Sequence, residues 1–329
     1  MTILTIARNS LVESIRQPVF AVLLLAGMLA MVLNVALAGF TFDDDNKLLV
    51  DLGLSTLFLC GLLLAAFTAT SVLTREIENR TVVTVVSKPV PRPAVILGKY
   101  LGVAAALAIG FWSLAAVFLL AVRHRVAIGG PMDSAFDGPV VMFGTVATLA
   151  AVFIAAAANY LRGRSFSSTF VFSLAVTATL ALACAWSLDK SWRPQDPLGE
   201  WNPQLMLAVA LVFEAILVLA AVAIAASTRL GQTMTLLACV GVFLAGLVGE
   251  YFLGTIVAGD QQGPAWARWV AWPAYAALPN MQFFWQADAL TQGQAITLAH
   301  CGAVTLYAAA MILAFLSLAV ILFQDRDVG

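Results

Sequence analysis

The chain has 329 residues, 62% of them hydrophobic and 11% charged, with a mean hydropathy of +0.95; this excludes soluble globular domains and describes an integral membrane protein. A formal net charge of -1 with two histidines and scattered acids leaves no concentrated basic surface, so nucleic acid is excluded as a partner. Cys60, Cys184, Cys239 and Cys301 lie in or beside apolar stretches with no close pair at metal-site spacing, so neither a disulfide framework nor a metal centre is expected.

Residues 1–17 place Arg8, Glu13 and Arg16 among Ile3, Leu4, Ile6, Leu11, Val12 and Ile15. That pattern predicts an amphipathic helix lying along the membrane surface, closed by Pro18. The run from Val19 to Phe40 predicts the first span; its 22 residues exceed a secretory h-region, so Ala36-Leu37-Ala38 is not read as a cleavage site. About 20 apolar residues cross a hydrocarbon core, and runs at 52–74, 94–122, 140–160, 166–188, 205–228, 233–258 and 296–323 bring the total to eight spans. The links Leu161 to Ser165 and Arg229 to Gln232 are short enough to predict two antiparallel helical hairpins. From Pro264 to Leu290, Pro273 and Pro279 interrupt a stretch rich in aromatics, which reads as short external helices in or dipping into the membrane.

The expected fold is therefore an all-α integral membrane protein with about eight transmembrane helices, an N-terminal interfacial helix and short external helices before the last span. Its division in chain order is 1–17, the surface helix; 18–74, the first two spans; 75–93, a polar segment; 94–188, spans three to five; 189–258, an external loop and a helical hairpin; 259–295, interfacial helices; and 296–329, the last span and a short tail.

With the N-terminus inside, 11 of the 17 Lys and Arg residues fall on the cytoplasmic side, which satisfies the positive-inside rule and puts both termini there. Arg123 and Arg125 run against it. Seven of the eight tryptophans, 186, 192, 201, 266, 269, 272 and 285, then lie near the external surface as an aromatic belt.

Catalytic constellations are missing from the sequence. It contains no His-Glu-x-x-His and no Gly-x-Ser-x-Gly, and Gly98-Lys99-Tyr100 fails as a phosphate loop because Pro93 replaces the first glycine and Tyr100 the magnesium-binding hydroxyl residue. Two acids fall within spans, where a charge costs about 2.5–3.5 kcal/mol on insertion scales. Glu214, nine residues into the sixth span, is either a substrate or proton site or a structural acid bonded to another helix; the lack of a basic partner favours the structural role. Glu250 stands nearer the external end of the seventh span, beside Tyr251, and His300 reads as an interfacial histidine. Gly241, Ala245 and Gly249 recur every four residues, and Gly98 pairs with Gly102; both spacings permit close helix approach.

The most distinctive polar stretch runs Arg75-Glu76-Ile77-Glu78-Asn79-Arg80-Thr81, then Ser87-Lys88-Pro89-Val90-Pro91-Arg92-Pro93. Its charged part is expected to carry the second helix beyond the membrane, with the prolines turning the chain into the third span. On physics alone it is either a positive-inside loop or a docking element for a cytoplasmic partner.

These residues, with Leu97-Gly98-Lys99-Tyr100-Leu101-Gly102, Leu278-Pro279-Asn280 and Phe323-Gln324-Asp325-Arg326-Asp327, resemble the permease subunits of type-2 ABC exporters. The resemblance implies a second permease copy, forming a homodimer in the bacterial inner membrane, and separate ATP-binding cassette subunits that carry the ATP and magnesium. This chain itself would bind no cofactor. It further implies partner-coupling roles for Arg75, Glu76, Glu78, Arg80, Thr81, Lys88 and Arg92, and a connecting role for the N-terminal helix. Family members commonly have six spans, so residues 205 to 258 read as an additional hairpin able to recruit another membrane protein, and no family role passes to Glu214 or Glu250. Two other readings stay open: a proton-coupled secondary transporter using Glu214, and a noncatalytic scaffold that binds an external protein through its Trp-rich helices.

Overall fold

The structure is a computed structural model that describes residues 2–39, 45–78, 91–125, 137–197, 201–258 and 265–324. The surface helix α1 is Thr2–Arg16, and α2, Pro18–Ala38, follows across Gln17. Next come α3 (Asp45–Glu78), α4 (Arg92–His124), α5 (Gly138–Arg162), α6 (Phe166–Trp186), α7 (Pro203–Ser227) and α8 (Gln232–Gly249). The last of these continues through a π-helical turn, Glu250–Gly254, into α9 (Thr255–Ala258). The short pieces α10 (Ala265–Ala277), a 3-10 turn at Met281–Phe284 and α11 (Ala287–Thr291) precede α12 (Leu298–Gln324).

Among the described residues, eight helices are long and apolar enough to cross a membrane, in the eight stretches expected from hydropathy. The ends shift by a few residues because caps, not hydropathy, set them. Asp137 accepts from Val140 N at 3.1 Å to open α5, and Asn202 accepts from Gln204 N at 3.0 Å to open α7, each with a proline in the first turn. The two short links do form hairpins, α5 with α6 and α7 with α8.

Successive spans alternate direction, which gives the bundle an end that carries α1 and a far end that carries α10 and α11. At its centre stands α7, the most buried of the eight spans, packed against α3, α4, α8 and α12. From Val218 to Ala225 every residue of α7 is buried, so this part meets protein on all sides. By contrast α8, the other limb of the same hairpin, is the least buried span. Among the described residues Asn34 on α2 is one of the few buried amides, and it donates to Thr56 Oγ1 at 2.9 Å and Leu52 O at 3.2 Å on α3, which satisfies its amide between those helices. All four cysteines are free.

Helix α1 lies across the start of α4, and the pair Gly98 and Gly102 makes this possible. A Cβ on Gly98 would come within 2.8 Å of Ile6 and 3.1 Å of the Ile3 carbonyl oxygen, and one on Gly102 would overlap the Ala7 carbonyl oxygen. Backbone thus meets backbone here. The other small-residue stripe is different: among the described residues, leaving aside the helix's own backbone, nothing lies within 4 Å of the Cβ positions of Gly241 and Gly249.

The substitution Gly102→Val is expected to lift α1 from α4 and destabilise the protein by about 1–3 kcal/mol through overpacking, whereas Gly241→Ala is expected to be near neutral. Thermal unfolding in detergent, followed by tryptophan fluorescence, tests the pair; equal midpoints for both variants would contradict the seating.

Candidate functional site

At the α1 end the chain makes a polar knot that begins with Pro18. Proline cannot supply the N–H that Ser14 O would take in a continued helix, so α1 ends there: Gln17 N turns back to Ser14 O at 3.3 Å, and Phe20 N bonds Gln17 O at 3.1 Å. Ser167, at the start of α6, places its hydroxyl 2.8 Å from Ile15 O and 2.9 Å from Gln17 O. The Gln17 amide in turn donates to Ser71 Oγ on α3, whose hydroxyl donates to Thr68 O at 2.9 Å. One turn of α4 adds Lys99, whose Nζ donates to Val72 O at 2.9 Å. Arg92 at the start of α4 donates to Phe323 O at the end of α12, at 3.4 Å. Five helices are therefore tied together where the polar segment leaves the bundle.

Of the coupling residues expected from the sequence, Arg75, Glu76 and Glu78 fall on the backbone of α3, which stays helical past the apolar span as far as Glu78. Their side chains, and Arg80, Thr81 and Lys88 altogether, lie outside the described residues; Arg92 is the member whose contacts are defined. Sequence reasoning met Lys99 as a cytoplasmic-side charge, in a failed phosphate-loop match and in the family-resembling stretch Leu97 to Gly102, without a structural role, and passed over Gln17, Ser71 and Ser167. The available signal was polarity next to Pro18 and a lysine between two closely spaced glycines.

The two acids within spans are not brought together, and each has local partners. Glu214, midway along α7, accepts from Thr305 Oγ1 on α12 at 2.7 Å. The same hydroxyl stands 2.9 Å from Cys301 O. Glu250 opens the π-helical turn and receives two bonds on one oxygen, from Tyr275 OH and from Asn280 Nδ2, both at 2.7 Å. The hydrogen bond to Glu250, and then burial, push the Tyr275 hydroxyl pKa up. Asn280 N is also held by Tyr307 OH at 2.7 Å, and Gly246 leaves room for the Pro279 carbonyl, which a Cβ would strike. The Leu278-Pro279-Asn280 stretch is thus the joint between α8, α10 and α12. His300 sits 3.1 Å from Gln286 Nε2 and 3.3 Å from Phe283 O.

Arg123, one of the two cations that ran against the charge rule, is neutralised by Asp137 at 3.5 Å and also donates to Ala185 O and Leu188 O. Arg123 and Asp137, with Lys47, Asp189, Trp186 and Trp201, line a far-end cavity of about 340 Å³. Nearby, α10 leaves Trp266, Trp269 and Trp272 exposed at three-residue spacing, with Trp269 84% accessible. Such rings suit a boundary that is apolar on one side and wet on the other.

Residues 11–232, more than half of the chain, match a family described as ABC-2 family transporter protein. The matched region includes α7 and Glu214 and stops at the first residue of α8, so Glu250 lies beyond it. No curated protein matches the chain.

Replacing Glu250 with Ala strips two donors of their acceptor and is expected to cost about 1–3 kcal/mol, while Glu214→Gln keeps an acceptor for Thr305 and is expected to leave stability near that of the wild type. Removing Asp137 from the buried Arg123 pair is expected to cost more, about 3–5 kcal/mol. Thermal unfolding midpoints of the three variants provide the ranking, and a Glu214→Gln protein less stable than Glu250→Ala would overturn it.

Proposed function

The chain belongs to the ABC-2 family of transporter proteins, and on that premise we propose that it is the transmembrane subunit of an ATP-driven transporter. The family match over residues 11–232 carries this reading. A separate ATP-binding subunit supplies ATP and magnesium, and a second copy of this chain completes the membrane assembly as a homodimer. The excess of Lys and Arg at the α1 end supports placing that end in the cytoplasm and both termini with it. The segment from Arg75 to Arg92 is then the coupling element.

Closure of the ATP-binding subunits on nucleotide would push on that element. Its motion reaches α3 through the helical backbone up to Glu78, and α4 and α12 through Arg92. Differential contact with two states of the partner supplies the free energy for the change, since a partner that bound both states equally would shift nothing. The output is either export of a substrate or force transmitted to a protein on the external face. Glu76, Glu78 and Arg80 are assigned to polar contacts with the partner.

Affinity purification of the tagged chain in mild detergent, with mass spectrometry and an ATPase assay, tests the assembly. A stoichiometric ATP-binding subunit with ATP hydrolysis is the expected result; an intact membrane protein reproducibly free of any ATPase would overturn it. The double charge reversal Glu76→Lys with Glu78→Lys is expected to reduce recovery of that subunit by about tenfold, the equivalent of one lost polar contact pair, with insertion unchanged.

A further inference from the structure

Lys99 has no part in the reading above, yet it is only 4% exposed, seven residues into the span that begins at Arg92. An ammonium in such surroundings is costly unless it is bonded, and its Nζ donates to Val72 O at 2.9 Å. Val72 is fully buried and is the last residue of the apolar span from which α3 runs on to Glu78. The same turn of α4 holds the backbone of α1 at Gly98 and Gly102, and the neighbour of Val72, Ser71, receives Gln17 from the break between α1 and α2. A closed ring results. Lys99 joins α4 to α3, Ser71 and Gln17 join α3 to the base of α1, and the glycines return α1 to α4.

We propose that Lys99 is a positioning residue that clamps the exit of α3 to α4 and α1, so that displacement of the segment after Glu78 moves these three helices as one body. The clamp stands on geometry alone; its use in coupling rests on the function proposed above. A cationic donor makes a stronger bond to a carbonyl than a neutral one, and the ring allows no single helix to yield without breaking a polar bond or unseating backbone from backbone. Without Lys99, motion of the exit is absorbed by local opening of the last turns of α3, where helix ends open most readily.

Amide hydrogen exchange on the full-length protein in lipid nanodiscs, read by mass spectrometry, tests the clamp. Lys99→Met keeps the apolar stem and removes a buried charge, so insertion is expected to survive. Exchange over residues 69–78 is expected to rise about tenfold in Lys99→Met and to return towards the wild-type rate in Lys99→Arg, which restores the cationic donor. Wild-type exchange in Lys99→Met, or Lys99→Arg as fast as Lys99→Met, overturns the proposal. If Lys99→Met does not purify, Ser71→Ala opens the ring at its other link and is expected to raise exchange over the same residues; an unchanged rate there overturns the ring. In the complex with its ATP-binding subunit, Lys99→Met is expected to assemble but to lose the ATP-dependent change in exchange at α1 that the wild type shows. Retention of that change overturns the coupling role. A wild-type chain that captures no ATP-binding subunit overturns the functional reading instead, and the exchange data still decide the clamp.

Discussion

The break that Pro18 makes after α1 sets the arrangement of the α1 end. In hydrocarbon or at its edge no water is reliably present to take up an orphaned backbone group, so protein must do it. Ser167 on α6 does so for Ile15 and also reaches Gln17 O, which already accepts from Phe20 N at 3.1 Å, and the Gln17 side chain passes the connection on to Ser71. A single break in a helix thereby fixes where α1 lies and which spans stand beneath it. The seat offered by Gly98 and Gly102 completes the placement by letting backbone approach backbone. Polar satisfaction chooses the position, and small residues permit it.

The far end solves the same problem with side chains on separate elements. Glu250 interrupts regular helical geometry with a π-helical turn, a form that often accompanies functional sites. Its carboxylate collects Tyr275 from α10 and Asn280 from the stretch that follows it. Arg123 and Asp137 close the gap between the end of α4 and the start of α5. Between the two ends runs α7, which makes few polar contacts and many apolar ones. Motion imposed at the α1 end must pass along or around this central rod, because its surroundings there leave no side facing lipid.

The eight spans were legible because hydrophobic length is the strongest signal a membrane sequence carries. The rank of those spans was not. In lipid a buried face and an exposed face are equally apolar, so the composition of α7 and α8 could not reveal that one is central and the other peripheral. The residues 205–258 read as one additional hairpin, yet its two limbs have opposite burial, and the family match includes the first of them. The Gly98–Gly102 spacing was visible, but its partner, a surface helix and not a span, lay more than 90 residues earlier in the chain. Ser167 and Gln17 are 150 residues apart, and nothing local in either links them. Asn280 stood in a recognisable stretch whose role became physical only when Glu250 was found opposite it. The polar segment from Arg75 to Arg92, for which a coupling role is proposed, was the reverse case, conspicuous in sequence and represented in the structure by its helical beginning and by Arg92.

The Glu214–Thr305 bond has a consequence for how the protein is made. The two residues are separated by 91 positions, with α8 and the short helices that precede α12 between them. Synthesis runs from the N-terminus, so α7 leaves the insertion machinery before the helix that will bond its carboxyl exists. During that interval the acid must stay neutral, recruit water, or linger beside the translocon. Arrival of α12 ends the wait, and the last of the described helices becomes the one that closes the central helix into the bundle.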